Sequence, residues 1–302
     1  MRGRKRLSIV YVTFGSGSGD LVTAASLSQA FARADVDLRF SAVSNCEFHY
    51  LFDAYFDHIL VRAQPKLLFG HDRDTDIYAA LRMLEPDVLI VSMIWLPLLP
   101  IIRELPGLKV FVARKTFDRW WRIPLPDGRY LEFDASPYDL LFNIEPGYRL
   151  PWAEQMEPMV ICSRDELFPR ETARHELGAM DDRPLCVVAH NGYAGELDQI
   201  LSEEKLDAGS YNIITLTNTQ QGRNIFPLAE YARGIDFLIG GAGYNLFYEA
   251  RYFGIPSRHI PFKRNGDDQA WRLETNRNYS FQENGADTVA RRIIELFDKR
   301  AV

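Results

Sequence analysis

Twice along the chain a continuous run of apolar, largely β-branched residues passes through a knot of glycines straight into residues with helical spacing. The first instance is Leu7 to Phe14, then Gly15-Ser-Gly-Ser-Gly19, then Leu21 to Phe31. The second is Phe237-Leu-Ile239, then Gly240-Gly-Ala-Gly243, then Leu246 to Phe253, ended by Gly254 and Pro256 in the manner of a helix C-terminus. A strand that is apolar along its whole length is buried on both faces, and such strands belong to parallel sheets covered by helices on either side. Asp37 to Val43, Asp87 to Ser92, Leu108 to Ala113, Leu185 to Ala189 and Tyr211 to Leu216 read as further strands of this kind, alternating with helices such as Ile77 to Leu84 and one starting at Leu197. The expected fold class is therefore α/β, with two doubly wound domains facing a central cleft.

At 302 residues the chain is about twice the commonest domain size, and its 47% hydrophobic and 13% aromatic content can furnish two cores. Between Glu145 and Pro184 the pattern breaks into Pro146, Pro151, Pro158, Pro169 and Pro184 around one short helix, Glu171 to Leu177. The expected domains are 1–157 and 158–302. The closing helix, Asp287 to Phe297, places Val289, Ala290, Ile293, Ile294 and Phe297 on one face and is able to pack back on the N-terminal domain.

Thirty-five Lys and Arg against 41 Asp and Glu give a net charge of −6, which argues against a broad electrostatic grip on nucleic acid or anionic lipid. Cys46, Cys162 and Cys186 are far apart with no C-x-x-C pair, so a reducing cytoplasm is expected rather than a disulfide framework or a thiolate metal site. The longest apolar stretch, Val88 to Ile102, is broken by Ser92, Pro97 and Pro100, short of what a membrane helix needs. Basic residues at the start, Met1 to Arg6, lead into a run of only Leu7 to Val12, which reads as a strand and not an export signal. At most a peripheral membrane contact is expected there.

A glycine turn between strand and helix lets the backbone bend tightly and lets a ligand approach the amides, while the helix N-terminus offers N–H donors and partial positive charge. Gly15-x-Gly17-x-Gly19 is not a dinucleotide-binding G-x-G-x-x-G, and no Gly-Lys-Ser/Thr comes after either turn. The stretch beyond the second turn is more specific: Gly240-Gly-Ala-Gly-Tyr-Asn-Leu-Phe-Tyr-Glu249, then Gly254-Ile-Pro256, then Ile260-Pro-Phe262, then Asp267-Asp-Gln269.

This succession resembles the donor-site signature of GT-B glycosyltransferases, in particular the branch of the peptidoglycan lipid-intermediate N-acetylglucosaminyltransferase and related UDP-sugar transferases. The likeness spans about Asp236 to Asn276, and Phe14 to Asp20 is similar to the glycine turn near the start of that family. It implies two Rossmann-like domains and a metal-independent, inverting transfer of sugar from a UDP or dTDP donor, with no cofactor besides that co-substrate. By position, the amides of Gly241, Ala242, Gly243, Tyr244 and Asn245 would take the diphosphate and Glu249 the two ribose hydroxyls. Asp268 and Gln269 would read the donor sugar, and Ile225 or Phe226, in Arg223-Asn-Ile-Phe-Pro227, would pass the base.

The acceptor, whether small molecule, glycan or lipid-linked, is not disclosed. Where the family carries a His as base in its N-terminal turn this chain has Asp20, which is either the proton acceptor or a residue satisfying the helix N-terminus. His190, in the loop after Leu185 to Ala189, is the reserve candidate, as base, sugar contact or phosphate contact. A nucleotide-sugar hydrolase and a non-catalytic nucleotide-sugar-binding protein remain as alternatives.

Two further clusters invite readings. His71-Asp-Arg-Asp-Thr-Asp76 suggests a metal site, but Ile77 and Met83 stand where an EF-hand needs Gly and Glu, so it reads as the acidic start of a helix and no metal is expected. Trp120 and Trp121 with Tyr130 and Phe133, among Arg119, Arg122 and Arg129, form either an aromatic platform for an acceptor or the edge of a core. His49, His58, His175 and His259 have no ligand spacing.

Overall fold

The computed structural model describes residues 6–15, 17–62, 75–204, 206–217 and 225–300. The chain divides into two compact units, 1–159 together with 285–302, and 160–284.

The first unit is built on β1 (Leu7–Val12), α1 (Gly19–Arg33), β2 (Leu38–Ser44), β3 (Asp57–Leu60), α2 (Asp76–Leu84), β4 (Val88–Ser92) and β5 (Leu108–Ala113). A small antiparallel pair comes next, β6 (Arg122–Pro124) and β7 (Tyr130–Glu132), then β8 (Leu140–Asn143) and β9 (Glu154–Gln155). Seven strands form one parallel sheet in the order β3-β2-β1-β4-β5-β8-β9. The central strands are apolar on both faces because both are covered: Ile9 to Val12 and Val88 to Val91 are wholly buried. On α1, Leu21, Ala24, Ala25, Leu27 and Phe31 repeat at helical spacing and face inward. Thr75 caps α2 by accepting a hydrogen bond from the Tyr78 N–H at 3.2 Å, so this end of the acidic run is a helix start; His71 to Asp74 lie outside the described residues.

The second unit contains α3 (Arg170–Leu177), β10 (Leu185–Ala189), α4 (Glu196–Glu203), β11 (Asn212–Leu216), β12 (Phe237–Gly241), α5 (Tyr244–Phe253), β13 (Ser257–Ile260) and α6 (Gln269–Asn276). Its sheet is parallel, in the order β11-β10-β12-β13. Asp236, just ahead of β12, accepts from the Leu185 N–H at 2.8 Å, from Arg170 at 2.7 Å and from Arg174 at 3.0 Å, and so ties α3 to the start of two strands. Helix α5 ends at Gly254, whose φ of 71° is the left-handed conformation glycine tolerates.

The chain then returns to the first unit as α7 (Gly285–Arg300). Ala286, Val289, Ala290 and Ile293 are wholly buried, Ile294 and Phe297 half-buried, and Asp287 accepts from Arg33 on α1 at 2.7 Å. Entry into this helix demands glycine, because a methyl group on Gly285 would stand 1.8 Å from the Glu157 carbonyl oxygen. Gly285→Ala is expected to lower stability by about 3 kcal/mol, read from denaturant midpoints, since backbone and not a flexible side chain blocks the methyl.

Candidate functional site

In an open parallel sheet, ligand sites form at the carboxyl ends of the strands, where the strand order reverses. That point lies between β10 and β12 in the second unit, and between β1 and β4 in the first. Both glycine turns therefore emerge at such a point.

In the second unit Gly240 and Gly241 are not turn residues, as their composition suggests, but the last two residues of β12, in register with His259 and Ile260 of β13. Glycine is needed for close approach: a methyl on Gly240 would lie 2.3 Å from the Ala189 carbonyl oxygen and 2.5 Å from Leu246 Cδ2. The carbonyls beyond turn back into the protein. His259 Nδ1 lies 3.3 Å from the Gly241 carbonyl, and wholly buried Arg272 donates to the Ala242 carbonyl at 2.9 Å. Arg272 is neutralised by Asp267 at 2.5 Å. Burial lowers the pKa of His259 to about 4, so its ring is neutral at pH 7.

The Ala242 N–H donates to the Ile260 carbonyl at 2.9 Å, which removes it from the donors open to an anion. Gly243 is the N-cap residue of α5, in extended conformation, and no side chain caps the helix. Glu249 lies within α5, half-buried, and burial, with no cation to oppose it among the described residues, pushes its carboxyl up to about 8. Asp268 caps α6 by accepting from the Trp271 N–H at 3.2 Å. Gln269 accepts from the Phe262 N–H at 2.9 Å through Oε1, while its Nε2 lies 4.0 Å from where a Gly243 methyl would be. Ile225 and Phe226 are half-buried ahead of the cis Phe226–Pro227 peptide; Arg223 and Asn224 lie outside the described residues.

His190 comes directly after β10. Its Nε2 is 2.8 Å from Glu196 Oε2, and Glu196 in turn receives two bonds from Arg264, at 2.6 and 2.7 Å. Neither Glu196 nor Arg264 stands out in the sequence, because the pair is made across 68 residues. Arg272 likewise carries no signal, and Asp267 and His259 show none of their structural roles: Asp267 appears only as the start of the acidic-Gln motif and His259 only as a histidine without ligand spacing.

In the first unit the Gly15 N–H donates to Asn45 Oδ1 at 2.9 Å, and Gly19 opens α1. Gly17 is exposed with nothing within 4 Å of a would-be methyl. Asp20 is not a solvated carboxylate: it forms an ion pair with Arg114 at 2.7 Å, both side chains less than one fifth exposed. Burial raises the pKa of the neighbouring Tyr11 hydroxyl, Asp20 adds to the rise, and a bond to Ser92 and the Arg114 charge oppose it.

The aromatic cluster resolves toward the core-edge reading. Trp120 Nε1 donates to the Met93 carbonyl at 2.9 Å, Trp121 Nε1 to Tyr148 Oη at 2.9 Å, and Phe133 packs on Phe111 and Trp152 with ring centres 4.7 and 4.6 Å apart. Tyr130 is exposed under the Arg122 guanidinium, 3.8 Å from its ring centre. Among the described residues no three His, Cys, Asp or Glu side chains are grouped to hold a metal ion, and no helix is long and apolar enough to cross a membrane.

The raised carboxyl of Glu249 has a measurable sign. Between the ordinary value of 4.5 and about 8 the native chain keeps a proton that the unfolded chain has released, so this group's contribution to stability falls as pH rises through that window. Glu249→Gln lacks the effect; its melting temperature relative to the native chain is expected to climb from pH 5 to pH 8 and then level off.

No known family's sequence profile matches the chain, and no curated protein matches it in sequence. Solved structures do match in shape. The spinosyn forosaminyltransferase SpnP aligns over 98% of this chain and 95% of its own, with a TM-score of 0.59 and 13% identity. The Streptomyces sp. SF2575 glycosyltransferase SsfS6, complexed with thymidine diphosphate, aligns over 97% and 96%, with a TM-score of 0.56 and 13% identity. A Listeria monocytogenes protein assigned as a UDP-N-acetylglucosamine 2-epimerase aligns over 99% and 89%, with a TM-score of 0.54 and 10% identity. At such identities the likeness concerns the fold, and the fold is GT-B: parallel sheets in two Rossmann-like units.

Proposed function

We propose that this protein is a glycosyltransferase that moves a sugar from a UDP or dTDP donor to an acceptor hydroxyl, with inversion and without a metal. The observation that carries the reading is the pairing, on one helix, of an N-terminus that no side chain caps, behind a closely packed glycine strand end, with a half-buried carboxylate that has no cation against it among the described residues. The first supplies N–H donors for a diphosphate, from Gly243, Tyr244 and Asn245, and disperses the charge that builds on the departing nucleotide. The second supplies an acceptor for the sugar-ring hydroxyls of the nucleotide, two in UDP and the 3′-hydroxyl alone in thymidine diphosphate, which an ionised Glu249 serves best. The resemblance to the peptidoglycan-branch transferases supports the same roles, and extends them to Asp268 and Gln269 at the donor sugar and Ile225 or Phe226 at the base. The complex of one fold relative, SsfS6, with thymidine diphosphate supports a donor of this class. Three buried, free cysteines suit a cytoplasmic setting.

Asp20 is our candidate for the acceptor's proton. Taking that proton would cost the ion pair with Arg114, an observation that favours a second reading, a protein that binds or hydrolyses nucleotide sugars without an acceptor.

Nucleotide release separates the three readings. Release that requires an added acceptor supports transfer, release with donor alone supports hydrolysis, and tight binding without release supports a binding protein. Glu249→Ala is expected to weaken thymidine diphosphate binding about tenfold by calorimetry, and native binding should release a proton near pH 7 as Glu249 ionises. Asp20→Asn is expected to leave that affinity within about twofold while abolishing turnover; undiminished turnover removes Asp20 from the mechanism.

A further inference from the structure

Beyond the carboxyl ends of β10 and β13 three ionisable side chains meet in a built arrangement. His190, Glu196 and Arg264 are 8%, 14% and 18% exposed. Arg264 grips both oxygens of Glu196, and the Tyr193 N–H donates to the same carboxylate at 2.8 Å. Burial alone would raise the Glu196 carboxyl, but the bonds from Arg264 and His190 outweigh it and bring its pKa down to about 2, so it is a full negative charge at pH 7. That charge stands against His190 Nε2, which fixes the ring from behind.

The other edge of the ring faces the glycine strand end. A methyl on Gly241 would lie 2.8 Å from both His190 Nδ1 and Cε1, and the ring packs on Phe262 with centres 4.9 Å apart. On the opposite side, a methyl on Gly192 would lie 2.0 Å from Glu196 Oε2, 2.2 Å from His190 Nε2 and 2.8 Å from an Arg264 nitrogen. Two glycines are thus dictated by this one cluster. Holding three such groups out of water is costly, and a surface loop has no structural need of it. Among the described residues no hydrogen-bond partner stands against Nδ1.

We propose that Glu196 and Arg264 are positioning residues that hold His190 with Nε2–H on Glu196 and Nδ1 turned to Gly241, so that Nδ1 donates to the diphosphate of a nucleotide seated at the head of α5. The inference rests on the nucleotide-site reading above. In the complex the ring lies between two anions, the arrangement in which both its nitrogens donate. His190 is thereby a diphosphate ligand and not a base toward the acceptor.

The test uses thymidine diphosphate and thymidine as paired probes, with affinities from calorimetry and ring protonation from nitrogen NMR of histidine-labelled protein. His190→Ala and Glu196→Gln are each expected to weaken thymidine diphosphate binding about tenfold and to leave thymidine unchanged, and both ring nitrogens of native His190 should carry protons in the diphosphate complex. In Glu196→Gln the Nδ1 proton should be lost from that complex, a signature that a merely structural role would not move. If His190→Ala fails to fold, judged by its thermal melt, Glu196→Gln with its NMR readout carries the test. Unchanged diphosphate affinity in the folded variants, beside a loss in Glu249→Ala, overturns this inference and leaves the nucleotide site standing. Failure of the native chain to bind either thymidine diphosphate or UDP overturns both.

Discussion

The second unit depends on how closely two strand ends approach one another. Gly240 leaves no room for a side chain between β12 and the Ala189 carbonyl, so β10 and β12 run together to their last residues. Only because of that approach can the His190 ring lie over Gly241 while His259 reaches the Gly241 carbonyl and Arg272 the carbonyl after it. A strand end whose carbonyls are turned inward and satisfied is rigid, and its following helix presents donors from a fixed place. Any residue larger than glycine at 240 would force the strands apart at the very point where the sheet reverses its order.

Around that point three arginines are matched by carboxylates. Arg272 has Asp267, Arg174 has Asp236, and Arg264 has Glu196. Each pair braces backbone as well: Arg272 the Ala242 carbonyl, Arg174 the carbonyls of Asp181 and Arg183, and Glu196 the Tyr193 N–H. Such pairs hold geometry more than they add stability, since desolvation offsets much of their attraction. Glu249 has no such partner among the described residues, and its carboxyl is raised by burial alone. The proposed ribose role therefore rests on the contrast between Glu249 and these matched pairs and not on the residue type.

Much of this architecture was legible in the sequence, and the rest was not for identifiable reasons. Strands β1, β4, β5 and β10 are mainly apolar runs, a pattern that burial on both faces imposes, and with β2 and β11, whose runs are interrupted by polar residues, they lie within a residue or two of where the sequence places them. Strand β3 reads Asp-His-Ile-Leu, half-exposed at the sheet edge, and β9 is two exposed residues, so neither carries the hydrophobic signal. Gly240 and Gly241 were misread as turn because glycine is a poor strand former; tertiary close approach overrode the propensity. Of the candidate site, the residues with local spacing, from Gly241 to Glu249, could be picked out by pattern. Arg114 beside Asp20 and Arg264 beside Glu196 could not, because each partnership spans the chain distance between two separate strand ends.

Those two partnerships are the same device used twice. In each unit a carboxylate sits in the first turn of the helix that comes after the unit's first strand, Asp20 in α1 after β1 and Glu196 in α4 after β10. In each, an arginine arrives from beyond the strand two places along in the sheet, Arg114 after β5 and Arg264 after β13. The carboxylate answers both the helix N-terminus and the guanidinium, so both ends of the pair are fixed by elements that cannot move independently of the sheet. The units differ in what stands on the far side of that carboxylate. In the second it is a histidine whose other nitrogen faces the glycine strand end; in the first it is the glycine turn itself, where a Gly15 methyl would come within 3.1 Å of Asp20. A shared scaffold, a first-turn carboxylate held by an arginine from two strands away, thus stands beside a histidine ring in one unit and beside a glycine turn in the other.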